Sequence, residues 1–503
     1  MRQTWVRELC GWLAAALIAI VTVAQIAATA RSELLFRDGD SLIVALLVRS
    51  VADGEPFDWV MSSVLFLPEI VLFGLLWMLG RLFALDVNAV LAINAVLNLI
   101  ALYGAVRLVA GRRRADSAPV LWSLVAVGAF SILSMTETSS SRESFELASL
   151  LLTTTYYSAT VIAVVLSIGI VRRMFDDPDR SSRLLPVLLG VVAAVSVLSN
   201  PLYAAWATVP LGLLLGGSAV YARWRALSLR LLGWLLGGTA AGLLGRIPLS
   251  EWIANDGSAY AQPTLWPQSV RYYGELAAER LSTPLGILGA VLVVALLAVA
   301  VRQSFRAQDA GARIVATAAW LLPLVVTVGA VALGTHAARY LEPVVFAPVL
   351  GLVASPLALR VPRRAALSVT AGAGVLLIVC AGLSIPRVSV AAQHPNGDLT
   401  CVSDWVNGSG QTGAGQFWTV RLPKLHLDDP SRLAQVDHQL NAYAWLINRT
   451  DFAVGEVTFL IEDAQSSPWA LGTNAQPSDV ITCGQFTIYD FSPVALPLGP
   501  ARS

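Results

Sequence analysis

Up to about residue 385 the chain alternates between apolar runs and short polar breaks. Each run approaches the ~20 helical residues needed to cross a hydrocarbon layer about 30 Å thick. The pattern predicts eleven spans: 9–30, 87–109, 118–135, 153–171, 184–200, 202–222, 229–246, 284–301, 314–333, 342–359 and 366–385. The first run, 9–30, reads as a retained anchor rather than a removed signal peptide. One further stretch, 60–83, is apolar but carries Pro68–Glu69 near its middle. A carboxylate at mid-bilayer costs about 2.5–3.5 kcal/mol, and proline interrupts the helical ladder. A helix lying along the interface satisfies both residues, so 60–83 is expected not to cross.

Basic residues sharpen this picture into a topology. Five clusters stand between runs: Arg107/Arg112/Arg113/Arg114, Arg172/Arg173/Arg180/Arg183, Arg223/Arg225/Arg230, Arg302/Arg306/Arg313 and Arg360/Arg363/Arg364. They hold half of the 34 lysines and arginines, while the alternate breaks are poor in them. Positive-inside sorting makes the clusters cytoplasmic, and Arg2 and Arg7 put the N-terminus there as well. Two long loops, 31–86 and 247–283, and the tail from about 386 then lie outside. If 60–83 crossed instead, the N-terminus would be outside and loop 31–59 cytoplasmic.

Composition agrees: 56% hydrophobic and 13% charged residues describe a polytopic membrane protein. A net charge of +1 with no basic face excludes a nucleic-acid partner. The tail turns polar, with alternating stretches such as "FWTVRLPKLHL" and "EVTFLIED", and reads as a small extracytoplasmic α/β domain. Cys401 and Cys483 lie in it, where an oxidising compartment favours a disulfide; Trp405, Trp418, Tyr443, Trp445 and Trp469 are either a carbohydrate platform or packing. Asn407 and Asn448 head glycosylation sequons.

Chemistry concentrates in "FRDGDS", 36–41, just past the first span. Asp40 or Ser41 can cap the following helix, 41–52, which explains one acid but does not require two. The other reading is a catalytic carboxylate accepting a proton from an acceptor hydroxyl at the membrane surface. A phosphate leaving group would need outer-face cations, and Arg37, Arg142, Arg246, Arg271 and Arg339 are the candidates. Segment 136–149, "TETSSSRESFELAS", reads as a solvated loop or a sugar-binding edge leading to Tyr156 and Tyr157. Loop 247–283 offers Glu251, Trp252, Asp256, Tyr260, Trp266, Arg271, Tyr272 and Tyr273, as an interfacial belt or as a site. The glycine run "LLGWLLGGTAAGLLG" serves close helix packing, and the lone His336 reads as structural.

The arrangement resembles the GT-C superfamily, polytopic glycosyltransferases that use polyprenyl-phosphate sugars. "RDGD" is similar to the acidic motif that follows their first span, "LPEIVLFGLLWMLG" to an interfacial helix, and "HAARYLEP" to an Arg-Tyr entry into a late span. Asp58–Trp59 and Pro68–Glu69 resemble uncharacterised bacterial members. Two departures are that Asp38-Gly39-Asp40 replaces an adjacent acidic pair and that no Pro-Pro opens the interfacial helix. The resemblance implies transfer of a sugar to an envelope glycan, lipid or protein. Asp40 or Asp38 would be the base, Arg37, Arg271, Arg339 and Tyr340 would bind the donor phosphate, and Trp59, Glu69, Tyr156, Tyr157 and Trp266 would bind acceptor or sugar. No cofactor signature is present, though a divalent metal bridging carboxylate and phosphate is compatible with the motif. The alternatives are an envelope-lipid transporter or flippase, and a non-catalytic glycan-binding relative.

Overall fold

A computed structural model describes residues 2–112, 116–177, 184–255, 257, 260–358, 362–393, 397–472 and 475–502. Arg113, Arg114, Arg180, Arg183, Asp256 and Arg360 lie outside the described residues. The helices begin with α1 (Arg2–Ala27), α2 (Ser32–Phe36), α3 (Ile43–Ala52), α4 (Leu67–Leu82), α5 (Val87–Val109), α6 (Pro119–Met135), α7 (Ser158–Asp176), α8 (Leu184–Ser199) and α9 (Val209–Ala219). They continue with α10 (Ala222–Gly245), α11 (Trp266–Leu281), α12 (Pro284–Arg306), α13 (Ala310–Ala332), α14 (Pro343–Phe346), α15 (Gly351–Ala354), α16 (Arg363–Gln393), α17 (Gly397–Ser409) and α18 (Phe417–His426). Two compact units divide the chain. One takes Met1–Leu34, Ala92–Ile247 and Ala259–Ala391; the other takes Leu35–Leu91, Pro248–Ser258 and Ala392–Ser503.

The first unit is helical. Among the described residues of the chain, seven helices are long and apolar enough to cross a membrane: α5, α7, α10, α12, α13 and most of α1 and α16. The architecture is that of a helical membrane protein. Helices α6 and α8 are apolar but shorter, at 17 and 16 residues. Two predicted spans depart from regular α-helix. Stretch 202–222 holds a π-turn, Ala204–Thr208, before α9. Stretch 342–359 breaks into α14, a 3-10 turn at Pro348–Leu350, and α15, because Pro348 removes a backbone donor just past the first turn of α14. The glycine run packs as expected, since a methyl group at Gly242 would lie 2.6 Å from the Ala194 carbonyl oxygen, so α8 and α10 touch backbone to backbone. Several buried polar groups inside the bundle are paired. Asn98 donates to the Leu151 and Thr153 carbonyls, and the Ser167 and Tyr203 hydroxyls lie 2.6 Å apart.

The second unit carries the sheet. Its strands are β1 (Trp59–Val60), β2 (Gly413–Gln416), β3 (Leu433–Val436), β4 (Asn441–Tyr443), β5 (Ile447–Asn448), β6 (Glu456–Val457), β7 (Phe459–Glu462), β8 (Asp479–Cys483), β9 (Phe486–Asp490), β10 (Leu496–Pro497) and β11 (Gly499–Arg502). Seven of them form one sheet in the order β11-β4-β3-β2-β7-β9-β8, with β2 parallel to both neighbours. Helix α18 connects β2 to β3, so "FWTVRLPKLHL" is mostly helix rather than strand. Cys401 on α17 is disulfide-bonded to Cys483 on β8, with Cα atoms 5.5 Å apart.

The first long loop belongs to this same unit and is woven into it. Strand β1 pairs antiparallel with β5, Trp59 facing Asn448. Arg49 of α3 donates to the Leu425 and Leu427 carbonyls at 2.5 and 2.6 Å. The start of the second long loop joins as well: Met61 N–H donates to the Trp252 carbonyl, and Arg449 spans Asp58 and the Glu251 carbonyl. Loop 247–283 is therefore divided between the units, and its later part is α11. Helix α16 runs through Pro386 to Gln393, so the second unit resumes at Ala392, later than the predicted 386. Stretch 60–83 is helical only over Leu67–Leu82, which puts Pro68 in the first turn, where it breaks no hydrogen bond. At ~1.5 Å per residue its 16 residues are about 24 Å long, short of a bilayer core.

Candidate functional site

Neither Asp40 nor Ser41 caps α3, whose N-cap position is Leu42 with no side-chain cap bond; Asp38 instead closes the turn ahead of it. Its Oδ2 accepts from the Asp40 and Ser41 N–H groups at 3.1 and 3.2 Å, closing the turn before α3. Asp40 is half-buried, and Ser41 is wholly buried. Gly39 explains the departure from an adjacent acidic pair. A methyl group there would sit 3.1 Å from the Trp418 ring and 3.2 Å from Arg421 Cδ, so glycine lets the loop lie flat on the first turns of α18. That seats the loop beside the carboxyl end of β2, between the parallel strands β3 and β7. Ligands of open α/β sheets gather at such a switch point.

Arg421 fixes this contact. It is 1% exposed, and its Nη1 donates to the Gly39 carbonyl at 3.2 Å. Nη2 donates to the Trp445 and Leu446 carbonyls, and Nε to Gln435 Oε1. The guanidinium also lies 3.9 Å above the Phe417 ring. Burial lowers its pKa to about 10 while Asp40, then Asp38, act in the opposite sense, so it stays charged at neutral pH. Sequence reasoning missed Arg421, since one arginine in an alternating stretch carries no signal of burial.

Other predicted residues of this unit are largely packed. Trp59 is 2% exposed, with its indole N–H donating to Ser50, which leaves no ring face open. Glu69 is buried in the first turn of α4, and Arg37 is half-buried. Trp405 packs edge-on against Phe459, and Trp469 packs against the core around Ala414 and Leu460, so the aromatic residues do not form one platform. Asn448 is 1% exposed and donates to Ser50 and the Pro56 carbonyl, so that sequon is closed in the fold.

The helical unit holds a second constellation. Arg339 Nη1 lies 2.9 Å from Glu143, and its Nε donates to the Tyr157 hydroxyl at 3.1 Å. Tyr272 of α11 donates to the other Glu143 oxygen at 2.8 Å, and its phenol is pushed up by burial and by that carboxylate. The Arg339 guanidinium sits 5.8 Å from the Tyr340 ring centre, and exposed His336 packs on Tyr272. Tyr156 and Tyr157 are buried, so Tyr157 acts through Arg339 rather than as an open stacking face. Arg271 and Trp266 are exposed on α11, outside this hydrogen-bonded group. Arg142 is half-buried, and Arg246 donates to the Leu198 carbonyl.

Segment 136–149 is not a solvated loop. Arg31, 1% exposed, donates to Ser149 and to the Ser139, Ser141 and Glu146 carbonyls. Arg280 meets Glu146 at 2.6 Å, and Glu137 accepts from the Ala148 and Ser149 N–H groups. Burial pushes the Glu137 carboxyl up, against the pull of Arg31. Arg31 and Arg280 hold much of the segment's polar surface, whereas Thr138, Ser140 and Ser141 are exposed. Sequence reasoning missed Arg31 and Arg280 as well. The visible signal was a polar stretch carrying three acids between two apolar runs.

Among the described residues no group of three His, Cys, Asp or Glu is placed to hold a metal ion. No protein-family model matches the chain, and no curated protein matches it.

Proposed function

We propose that the chain is a membrane glycosyltransferase that takes a sugar from a polyprenyl-phosphate donor and transfers it to an envelope glycan, lipid or protein. The observation that carries this reading is the mounting of the acidic loop: Asp38 closes the turn, and Gly39 and buried Arg421 clamp it. Asp40 is thereby held half-buried on a rigid base. A helix cap alone requires no such clamp. Topology supports the reading too. The three segments sharing the sheet-bearing unit are those that the arginine alternation assigns to the outer face.

In this reading Asp40 accepts the proton of the acceptor hydroxyl as its oxygen attacks the anomeric carbon. The bond from that carbon to the phosphate oxygen breaks, and the electron pair leaves with polyprenyl phosphate. Considered by itself, the helical unit offers Arg339, oriented by Tyr157 and Glu143 with Tyr340 beside it, as a cation suited to a lipid-borne phosphate. Native mass spectrometry of the purified chain, incubated with a polyprenyl-phosphate hexose, tests donor recognition. The adduct is expected on the wild type and strongly reduced in Arg339→Ala. Equal retention of unmodified polyprenol by both would overturn the assignment.

A further inference from the structure

A cavity of about 880 Å³ opens within the helical unit, at its arginine-rich end. Positions Val299, Arg302, Gln303 and Arg306 of α12 line one wall; their i, i+3, i+4, i+7 spacing is a single helix face. The opposing wall is rigid. Arg172 is 5% exposed, donates to the Val109 and Val353 carbonyls, and lies 3.3 Å from Asp176. Arg112 at the rim is engaged by Asp177 at 3.2 Å. Arg302 and Arg306, by contrast, are exposed and make no ion pair among the described residues. Two guanidinium groups four residues apart on one helix, lining a preformed hollow, are suited to contact with phosphate oxygens.

We propose that this cavity binds a phosphate-bearing ligand that also presents hydroxyl or amine donors. The donors follow from Asp116, which shares the lining with the arginines. A bare anion gains less beside a carboxylate than a ligand that also brings a donor to it. A ligand placing phosphate on the α12 stripe and a hydroxyl or amine toward Asp116 meets both charges. The volume sits near the top of the range for small-ligand sites, about 300–1,000 Å³, well beyond an inorganic ion. A glycerophospholipid headgroup and a soluble polyol phosphate share this chemistry. The site is independent of the transfer reaction proposed above.

The test uses the full chain, following its thermal unfolding midpoint. sn-Glycerol 3-phosphate is titrated in detergent, and phosphatidylglycerol nanodiscs are compared with phosphatidylcholine ones. One of the two probes is expected to stabilise the wild type, and the one that does so identifies the source. Arg302→Gln/Arg306→Gln should weaken that binding about a hundredfold, roughly tenfold per charged hydrogen-bond donor lost. Exposed Arg230→Ala, on α10, should leave it unchanged. No stabilisation by either probe, stabilisation surviving the double variant, or equal weakening in Arg230→Ala would overturn the proposal.

Discussion

Replacing Arg421 with methionine keeps an unbranched apolar stem and removes every donor. Four acceptors then lose a donor: the Gly39, Trp445 and Leu446 carbonyls and Gln435 Oε1, of which the Trp445 carbonyl keeps Gln435 Nε2. Asp40 and Asp38 also lose a nearby cation. Removing one member of a buried charged network costs about 3–5 kcal/mol. Part is offset because the guanidinium itself pays for burial, as its pKa of about 10 reports, so about 3 kcal/mol is the working figure. That corresponds to roughly a hundredfold in an opening equilibrium. Hydrogen exchange by mass spectrometry reads it directly. The Asp40, Ser41 and Leu42 amides, which bond to Asp38, should exchange about a hundredfold faster in Arg421→Met, with α8 and α10 unchanged. Unaltered protection of 40–42 in a folded variant would refute the clamp.

Three further outcomes follow from the second unit. The Cys401–Cys483 bond closes a separation of 82 residues, so Cys401→Ser/Cys483→Ser should lower that unit's stability by about 4–5 kcal/mol in the chain-entropy model. Unfolding curves that coincide with and without the bond would contradict it. Burial, and then repulsion from Arg49, hold the His426 imidazole below its ordinary 6.5, with Asp86 opposing. The unfolded chain therefore takes up that proton first, so stability is full above about pH 6.5 and declines as pH falls toward the lower folded value. Melting curves across that window should flatten in His426→Gln, and an unchanged slope would exclude the histidine. Ala52 is exposed at the end of α3, whereas Ser41 is buried. In a Cys10→Ser/Cys380→Ser background, Ala52→Cys should react with an impermeant maleimide on intact cells. Reaction only after permeabilisation would reverse the orientation.

Much of the helical unit is legible in the sequence because lipid demands long apolar segments, and the cysteine pair is legible because both thiols fall in the polar tail. The exceptions have physical causes. Stretch 342–359 is apolar enough to read as a span, but hydropathy is blind to the donor lost at Pro348. Helix α18 read as an alternating stretch because it is buried on nearly every side, from Phe417 to Leu425, which erases the 3.6-residue period. Arg31, Arg280 and Arg421 were invisible as structural residues, since arginine is by default a surface side chain. The Arg421–Gly39 bond spans 382 residues, and no local pattern encodes a partner so distant. For the site, the acidic motif and the Arg339–Tyr340 pair were legible. That Asp38 closes the turn was not, because it depends on hydrogen-bond geometry within the loop.

The most direct measurement is sugar transfer from a radiolabelled polyprenyl-phosphate donor to envelope acceptors, by the purified chain and by Asp40→Asn and Asp38→Asn. Loss of a general base slows transfer by about 10²–10⁴-fold. Asp40→Asn should show that loss in kcat while still binding donor, and Asp38→Asn should instead loosen protection of 40–42. Wild-type transfer that Asp40→Asn retains in full would contradict the account.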